Sequence, residues 1–293
     1  TSFPDTDADG IADAWETAYG LDPATSDSSL DSDSDGSTNL QEFTANTSPI
    51  DAAITPNKAK LTHRWSFNGG LSDSVGGSTA TLTDSTSTGS TLSSKEILLN
   101  GGLQSAAAYI NLGTNLLKGK KTPVTLELWA TKKSIQNWSR VFDFGSGTTE
   151  YLMMTWDIGA TPTSRVEWKD ATSTNVDSTI NPNFVVGTEY HIVMTIEPGA
   201  GTNGKDLVTW YSAPVGSTLG TAKGSFSSNN TLQVFNDTTL MLGRSQWAAD
   251  NNANASYNEF RIWDGALTST ERDNYQTLGP DALDVNDADS DGL

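Results

Sequence analysis

Cysteine is absent from the 293 residues, which excludes disulfides, thiolate catalysis and cysteine-ligated zinc. Long apolar runs are missing as well: no stretch approaches the roughly 18 residues of a membrane span, so insertion into a membrane is not expected. Histidine occurs only at His63 and His191, each beside aromatic and aliphatic neighbours. There a hydrogen-bonded structural imidazole is the expectation, not a catalyst. Basic residues are few, 17 Lys and Arg against 36 Asp and Glu, and two segments have none. Residues 1–51 carry 12 acids and no base, and residues 281–293 carry 5 acids and no base, together −17 of the formal −19. The central stretch, with 19 acids against 17 bases, is nearly neutral at −2. Acid-only segments repel nucleic acid and anionic surfaces, and either stay unfolded or hold cations. A nucleic-acid partner is therefore not expected.

What the acidic N-terminus contains is a pattern. "DTDADGIADAWE" at 5–16 and "DSDSDGSTNLQE" at 31–42 both satisfy D-x-[DN]-x-[DN]-G-x5-E, 26 residues apart. Calcium gives each position a reason, because a hard cation of this size takes six to eight oxygens. Asp5, Asp7 and Asp9, then Asp31, Asp33 and Asp35, offer three carboxylates on one side, and Gly10 or Gly36 makes the turn. The carbonyl of Ile11 or Ser37 follows, Asp13 or Asn39 stands at position nine, and Glu16 or Glu42 closes the shell. Each loop runs into a short helix, "IADAWETAY" or "NLQEFTA". Gly20 and Asn46 stand at the helix ends, with Pro23 and Pro49 three residues on. A third copy starts at "DADSDG", where Asp287, Asp289, Asp291 and Gly292 fill positions one, three, five and six.

These repeats depart from the EF-hand. Position eight, usually apolar, is Ala12 or Thr38, and only four residues precede the first loop. Residues 5–50 instead resemble the bacterial thrombospondin type 3 repeat, a loop-helix relative of dockerin repeats. That resemblance implies calcium-dependent rigid spacing between modules of an extracellular protein. A chain that starts at Thr1 and stops within a third repeat is expected to be a piece of a longer protein with further domains.

From about residue 60 the pattern changes to alternation. "TPVTLELWAT" sets Val124, Leu126 and Leu128 against Thr125, Glu127 and Trp129, and "EYHIVMTIE" puts Tyr190, Ile192, Met194 and Ile196 on one face. More than ten such segments with turn-rich connections predict an all-β module of two packed antiparallel sheets. "TSTERDNYQTLG" predicts a short closing helix capped by Thr268 or Ser269. In order, "LTHRWSFNGG", "ILLNGG", "VTLELWAT", "RVFDFGSG", "LMLGRSQ" and "YNEFRIWDGALTSTE" resemble the laminin G-like domain of the concanavalin A-like jelly-roll superfamily. The expected organisation is calcium-binding repeats at 1–52, a jelly-roll sandwich at 58–280 and the start of another repeat at 281–293. The resemblance also points to a structural calcium near Asp73, Asn258 and Glu259, although Asn258 replaces the usual Asp.

Chemistry is harder to find. The retaining glycosidases of this fold need two carboxylates about 5 Å apart. No E-x-D-x-E strand is present, which leaves only convergence across strands, as of Glu127 with Glu167. No Ser-His-acid set and no phosphate loop is visible either, so the expectation is not an enzyme. The nine tryptophans favour binding, since sugar rings stack on exposed indoles while polar side chains read the hydroxyls. Trp65, Trp129 and Trp263 sit in strand motifs and read as structural. Trp138 and Trp247 lie in polar segments, the latter with Arg244, Gln246, Asp250 and Asn251 close by. The sequence thus predicts a secreted or cell-surface module that binds a glycan, a polysaccharide or another cell-surface ligand. The alternatives are a protein-adhesion module without a sugar site and a polysaccharide-degrading enzyme. An exposed row of aromatics, a flat apolar patch and a cleft with two close carboxylates would distinguish the three.

Overall fold

A computed structural model describes residues 4–35, 37–45, 47–52, 59–170, 177–181 and 183–283. The third acidic motif at 287–292 lies outside them, as do Gly36 and Asn46. The chain divides into two compact units, Thr1–Lys58 and Ala59–Leu293.

In the first unit both repeats form the expected loop and helix: α1 is Asp13–Tyr19 and α2 is Asn39–Ala45. Helix α1 stops at Gly20, whose φ of 79° is left-handed, and Leu21 N–H closes back on the Glu16 carbonyl at 2.9 Å. Thr47 N–H makes the same bond to Glu42 at 2.9 Å. The unit is held by a small aromatic contact, Trp15 against Tyr19 and edge-on to Phe43 with centroids 4.9 and 5.5 Å apart. Its second repeat is tied to the first by Asn39, whose backbone N–H reaches Leu30 and whose side-chain amide reaches the Asp27 carbonyl.

The second unit is a sandwich of two antiparallel sheets. The first sheet runs, edge to edge, β13 (Gly224–Ser228), β12 (Asp206–Pro214), β11 (Glu189–Glu197), β6 (Val124–Lys132), β15 (Asn251–Asp264), β4 (Ile97–Leu103) and β3 (Ser90–Leu92). Strand β1 (Lys60–Trp65) also pairs with the long β15. The second sheet runs β10 (Asp177–Asn181), β9 (Ser164–Lys169), β8 (Glu150–Thr155), β7 (Arg140–Gly147), β14 (Thr239–Leu242), β5 (Tyr109–Asn111) and β2 (Thr81–Thr83). Between them lies one apolar core. Val124, Leu126 and Leu128 meet Tyr190, Ile192, Met194 and Ile196 from one sheet, and Phe142, Phe144, Leu152, Met154, Val166 and Trp168 come from the other. The alternation read from β6 and β11 therefore faces the partner sheet. At about 1.5–3 kcal/mol for each fully buried large apolar side chain, this layer is the main source of the unit's stability.

The outer face of β6 is not exposed, and all nine of its residues are buried. Helix α3 (Ser269–Leu278) covers that face, packing Tyr275 and Leu267 with Trp129, Trp263 and Val193 in a second apolar cluster. Beneath it Glu127 accepts from His191 Nε2 at 2.9 Å, from Trp263 Nε1 at 3.0 Å and from Arg261 at 3.3 Å. His191 lies flat on Trp129, ring centroids 4.3 Å apart, and its other nitrogen meets Gln276 of α3 at 2.9 Å. Both histidines are thus structural, since His63 is likewise fixed to Asp73 at 2.7 Å. Helix α3 begins in a capping box, with Thr268 Oγ1 accepting from Glu271 N–H and Glu271 answering to Thr268 N–H. Thr268→Ala is expected to cost about 1 kcal/mol of unfolding free energy, visible as a lowered urea midpoint with unchanged slope.

Candidate functional site

The two acidic loops share one geometry. In the first, Asp9 N–H donates to Asp5 and Asp7, and Gly10, at φ 96°, donates to Asp5. In the second, Asp35 N–H donates to Asp31 and Asp33. Position four is left-handed in both, Ala8 at φ 60° and Ser34 at φ 65°. The N–H groups of Ile11 and Ser37 bond Asp9 and Asp35 at 3.0 and 2.7 Å, fixing the main chain at position seven. Carboxylate oxygens of Asp5, Asp7 and Asp9 lie within 4.8 Å of one another, as do those of Asp31, Asp33 and Asp35.

The donor set fits a hard cation. Glu16 and Glu42 are fully buried with both carboxylate oxygens unpartnered, and Asp7, Asp33, Asp35 and Asn39 each keep a buried oxygen without a hydrogen-bond donor. Burial, reinforced by the neighbouring aspartates, pushes Glu16 and Glu42 up to about 7. Only oxygen is offered, which suits calcium and not a softer metal.

One ligand expected from the spacing is turned elsewhere. Both oxygens of Asp13 accept from Thr6, its N–H at 2.7 Å and its hydroxyl at 2.7 Å, so Asp13 braces the loop start instead of facing the other carboxylates. Asp27, which spacing did not single out, takes a place beside them. Its carboxylate lies within 4.8 Å of Asp9 and Glu16, one of its oxygens is buried and unpartnered, and its N–H donates to Asp9. Asp27 belongs to the linker that folds back on the loop, which a fixed-spacing pattern does not describe.

Of the jelly-roll positions near Asp73, the two carboxylates are already bonded. Asp73 is saturated by the N–H groups of Arg64, Val75, Gly76 and Ser78 and by His63. Glu259 is clamped between Arg64 and Arg261, whose charges outweigh burial and hold its carboxyl below the usual value. Asn258 sits at the bulge of β15 and donates to Glu189. The donors already present leave Asp73 and Glu259 nothing to offer a cation.

On the outer face of the second sheet, a cavity of about 300 Å³ is lined by Trp138, Arg140, Met153, Arg165, Glu167, Trp247 and Asp250. Its floor is set by register: Asp143 of β7, Met153 of β8 and Glu167 of β9 stand opposite one another across three strands. The inward alternation of Leu152, Met154, Val166 and Trp168 forces these neighbours outward. The walls come from two loops, that before β7 carrying Trp138 and that before β15 carrying Trp247. Six tryptophans, at 65, 129, 156, 168, 210 and 263, are buried to below 2% exposure, whereas Trp138 and Trp247 are only partly buried.

Arg140 joins the two walls. Its guanidinium donates to Asp143 at 3.2 Å, to Asp250 at 2.9 Å and to the Trp138 carbonyl, and it lies 5.5 Å from the centre of the Trp247 ring. Trp138 is held at φ 55°, an unfavourable value for a bulky residue, by its N–H bond to Gly159 at 3.0 Å and by Arg140 on its carbonyl. Arg165 rests 5.6 Å from the Trp138 ring centre and pairs with Glu167 at 2.7 Å, while Tyr151 stands edge-on to Trp247 at 4.8 Å. Asp143 is fully buried, and burial, opposed by Arg140, pushes it up to about 7.

Of the residues expected around Trp247, Asp250 lines the cavity and the other three do not. Arg244 is turned to Gln104 and stacks on Tyr109 at 4.4 Å, Gln246 donates to Thr239, and Asn251 is already in β15 with its amide on Gln136. Glu127 and Glu167 do not converge, since they belong to different sheets and Glu127 is enclosed beneath α3.

Two antiparallel sheets in this order, closed by a capped helix, define a jelly-roll sandwich of the lectin type. The family model described as the concanavalin A-like lectin/glucanases superfamily, Laminin_G_3, matches residues 104–271, and the chain belongs to that family. Among solved structures it is similar to domain 4 of AbnA, an extracellular GH43 arabinanase from Geobacillus stearothermophilus, in complex with arabinotriose. There the TM-score is 0.52 at 18% identity, covering 74% of this chain and 98% of the other. It is also similar to the binding domain of botulinum neurotoxin DC in complex with SialylT, with TM-score 0.54 and 10% identity over 76% and 52% of the two chains. Botulinum neurotoxin type C, described as entering cells through two ganglioside molecules, gives TM-score 0.53 and 11% identity over 76% and 51%. The chain thus spans about half the length of the neurotoxin structures, and the likeness is one of fold. No curated protein matches the sequence.

Proposed function

We propose that residues 59–283 are a non-catalytic carbohydrate-binding module of a secreted or cell-surface multidomain protein. Residues 5–50 would be a calcium-ordered spacer of the thrombospondin type 3 kind. The observation that carries the binding role is the pair of partly exposed indoles, Trp138 and Trp247, walling a cavity of about 300 Å³ beside Arg165, Glu167 and Asp250. Aromatic walls with polar groups at fixed positions suit a sugar ring, whose C–H faces stack while its hydroxyls are read. Fold neighbours described in complex with arabinotriose and with SialylT support the same reading. The non-catalytic reading is favoured by the pairing of each lining carboxylate with an arginine: Glu167 with Arg165, and Asp250 with Arg140.

For the spacer, the residues that would hold calcium are Asp5, Asp7, Asp9, Glu16 and Asp27 in the first repeat. In the second they are Asp31, Asp33, Asp35, Asn39 and Glu42. The metal would supply charge compensation and loop rigidity, with no chemistry on a substrate.

Screening the protein on a broad glycan and polysaccharide array, in calcium and in chelator, tests the binding role. Trp247→Ala is expected to weaken any hit by about 30-fold or more, the range of a buried aromatic anchor. Silence across the array would move the function to protein adhesion.

A further inference from the structure

Resting on that reading of the cavity, we infer that its ligand is an uncharged sugar: a single neutral residue or the end of a short neutral oligosaccharide. The charges at the site are already matched. Arg140 is buried and divides its donors among Asp143, Asp250 and the Trp138 carbonyl, so its charge is paired with Asp250 of the lining and with the fully buried Asp143. Arg165, the more exposed cation, lies on the Trp138 face with one N–H on Glu167 at 2.7 Å. The two guanidiniums of the cavity thus stand against its two lining carboxylates, Glu167 and Asp250. Among the described residues that line the cavity, an incoming carboxylate or sulfate would meet two carboxylates and no cation without a carboxylate partner, Lys169 of β9 lying opposite Tyr151 outside that lining, and like charges in a partly desolvated site strongly disfavour binding.

A neutral sugar fits what is left. Arg165 uses one of its five side-chain donors on Glu167 and keeps others for hydroxyl oxygens, while carboxylate oxygens of Glu167 and Asp250 can accept from sugar O–H groups. Met153 gives the floor a polarisable apolar contact, and the two indoles give the walls theirs. At about 300 Å³ the cavity is at the small end of ligand sites, which suits an end residue and not the middle of a polysaccharide chain.

The test is calorimetric titration of the whole chain with two matched panels. Neutral arabino-, xylo- and galacto-oligosaccharides form one, and oligogalacturonate, sialylated and sulfated glycans form the other. The wild type is run beside Trp138→Ala, Trp247→Ala and Glu167→Gln. The expected result has four parts. The best neutral ligand is preferred over the best acidic one by at least about tenfold. Its affinity is unchanged between about 0.05 and about 0.5 M salt. Either Trp→Ala variant loses it, and Glu167→Gln, by freeing Arg165, narrows the preference. An acidic glycan bound more tightly by the wild type and lost in Trp247→Ala would overturn the inference while leaving the cavity as the sugar site. Binding that survives both Trp→Ala variants, or no binding in either panel, would overturn the cavity reading and the inference with it.

Discussion

Removing calcium with a chelator is expected to unfold residues 5–50 and to leave residues 59–283 folded. The first loop brings Asp5, Asp7, Asp9, Glu16 and Asp27 together and the second Asp31, Asp33, Asp35 and Glu42, with no Lys or Arg anywhere in residues 1–51 to oppose them. Carboxylates held within 4.8 Å of one another repel, most strongly where water is kept from between them. Several such pairs exceed what a unit of this size can supply from a core as small as Trp15, Tyr19 and Phe43. A bound divalent cation reverses the sign of that balance, and binding free energy becomes folding free energy. With free calcium at about 100 times Kd, each loop's folded form gains a factor of about 100 over the apo form. Limited proteolysis should therefore cut within residues 5–50 about 100-fold faster in chelator, while the β-sandwich survives intact. Asp9→Asn should reproduce much of this in calcium, because Asp9 is shared by the groups on both sides of its loop. Equal cleavage with and without chelator would contradict the account of the spacer.

The largest single-residue effect on the sandwich is expected at Glu127. Its carboxylate accepts from the Trp263 indole and binds His191 and Arg261 in the same enclosed space. Replacing it by Ala leaves Arg261 with Glu259 as its remaining carboxylate and strands one indole N–H and one imidazole nitrogen under α3. Breaking a buried pair by deleting one partner costs about 3–5 kcal/mol. The chemical midpoint should fall accordingly, and the α3 backbone amides should lose hydrogen-exchange protection first, since Gln276 is its link to His191. Glu259 adds a pH dependence. Its carboxyl is held below the unfolded value, so its contribution is present above about pH 4.5 and is lost as the pH falls through the lower folded value. A Glu127→Ala chain with unchanged midpoint would show that α3 is held by its apolar contacts alone.

The architecture was readable where sequence period and burial coincide. Val124, Leu126 and Leu128 alternate because β6 faces the other sheet, and the helix of residues 269–278 announced itself through Thr268. Less legible were the polar edge strands β2, β3, β10 and β13. Their sequences are short and rich in Ser and Thr, with no alternating apolar run to mark them, and the ladder to a neighbouring strand sets their place. Strand β15 also starts at Asn251, earlier than the apolar run "FRIW" suggests, because its polar beginning pairs with β4. Alternation set Glu127 on the face away from the core, but what covers that face was not legible, since the helix lies 142 positions further on, at Ser269.

The site was legible in part for a related reason. Trp138 and Trp247 stood out as aromatics in polar segments, and both wall the cavity. Arg140, Met153, Arg165 and Glu167 come from three different strands and converge only through register, which one-dimensional spacing does not contain. A cue was nonetheless available: an Arg and an Asp within the otherwise apolar "RVFDF", and an Arg and a Glu in "RVEWK", two strands away across β8. Arg244 misled because its residue type suits a glycan rim while its geometry suits Gln104 and Tyr109. In the acidic repeats, the exchange of Asp13 for Asp27 has the same origin, a contact made by chain folding across 18 residues from Asp9.

The central claim, that the sandwich binds a sugar between Trp138 and Trp247, is tested most directly by NMR titration of the indole N–H signals with the best neutral oligosaccharide. Six of the nine tryptophans are fully buried and Trp15 lies in the other unit, so the account predicts shifts confined to Trp138 and Trp247. Saturation of the protein with both of those signals unmoved, or the largest shifts at any other indole, would contradict it.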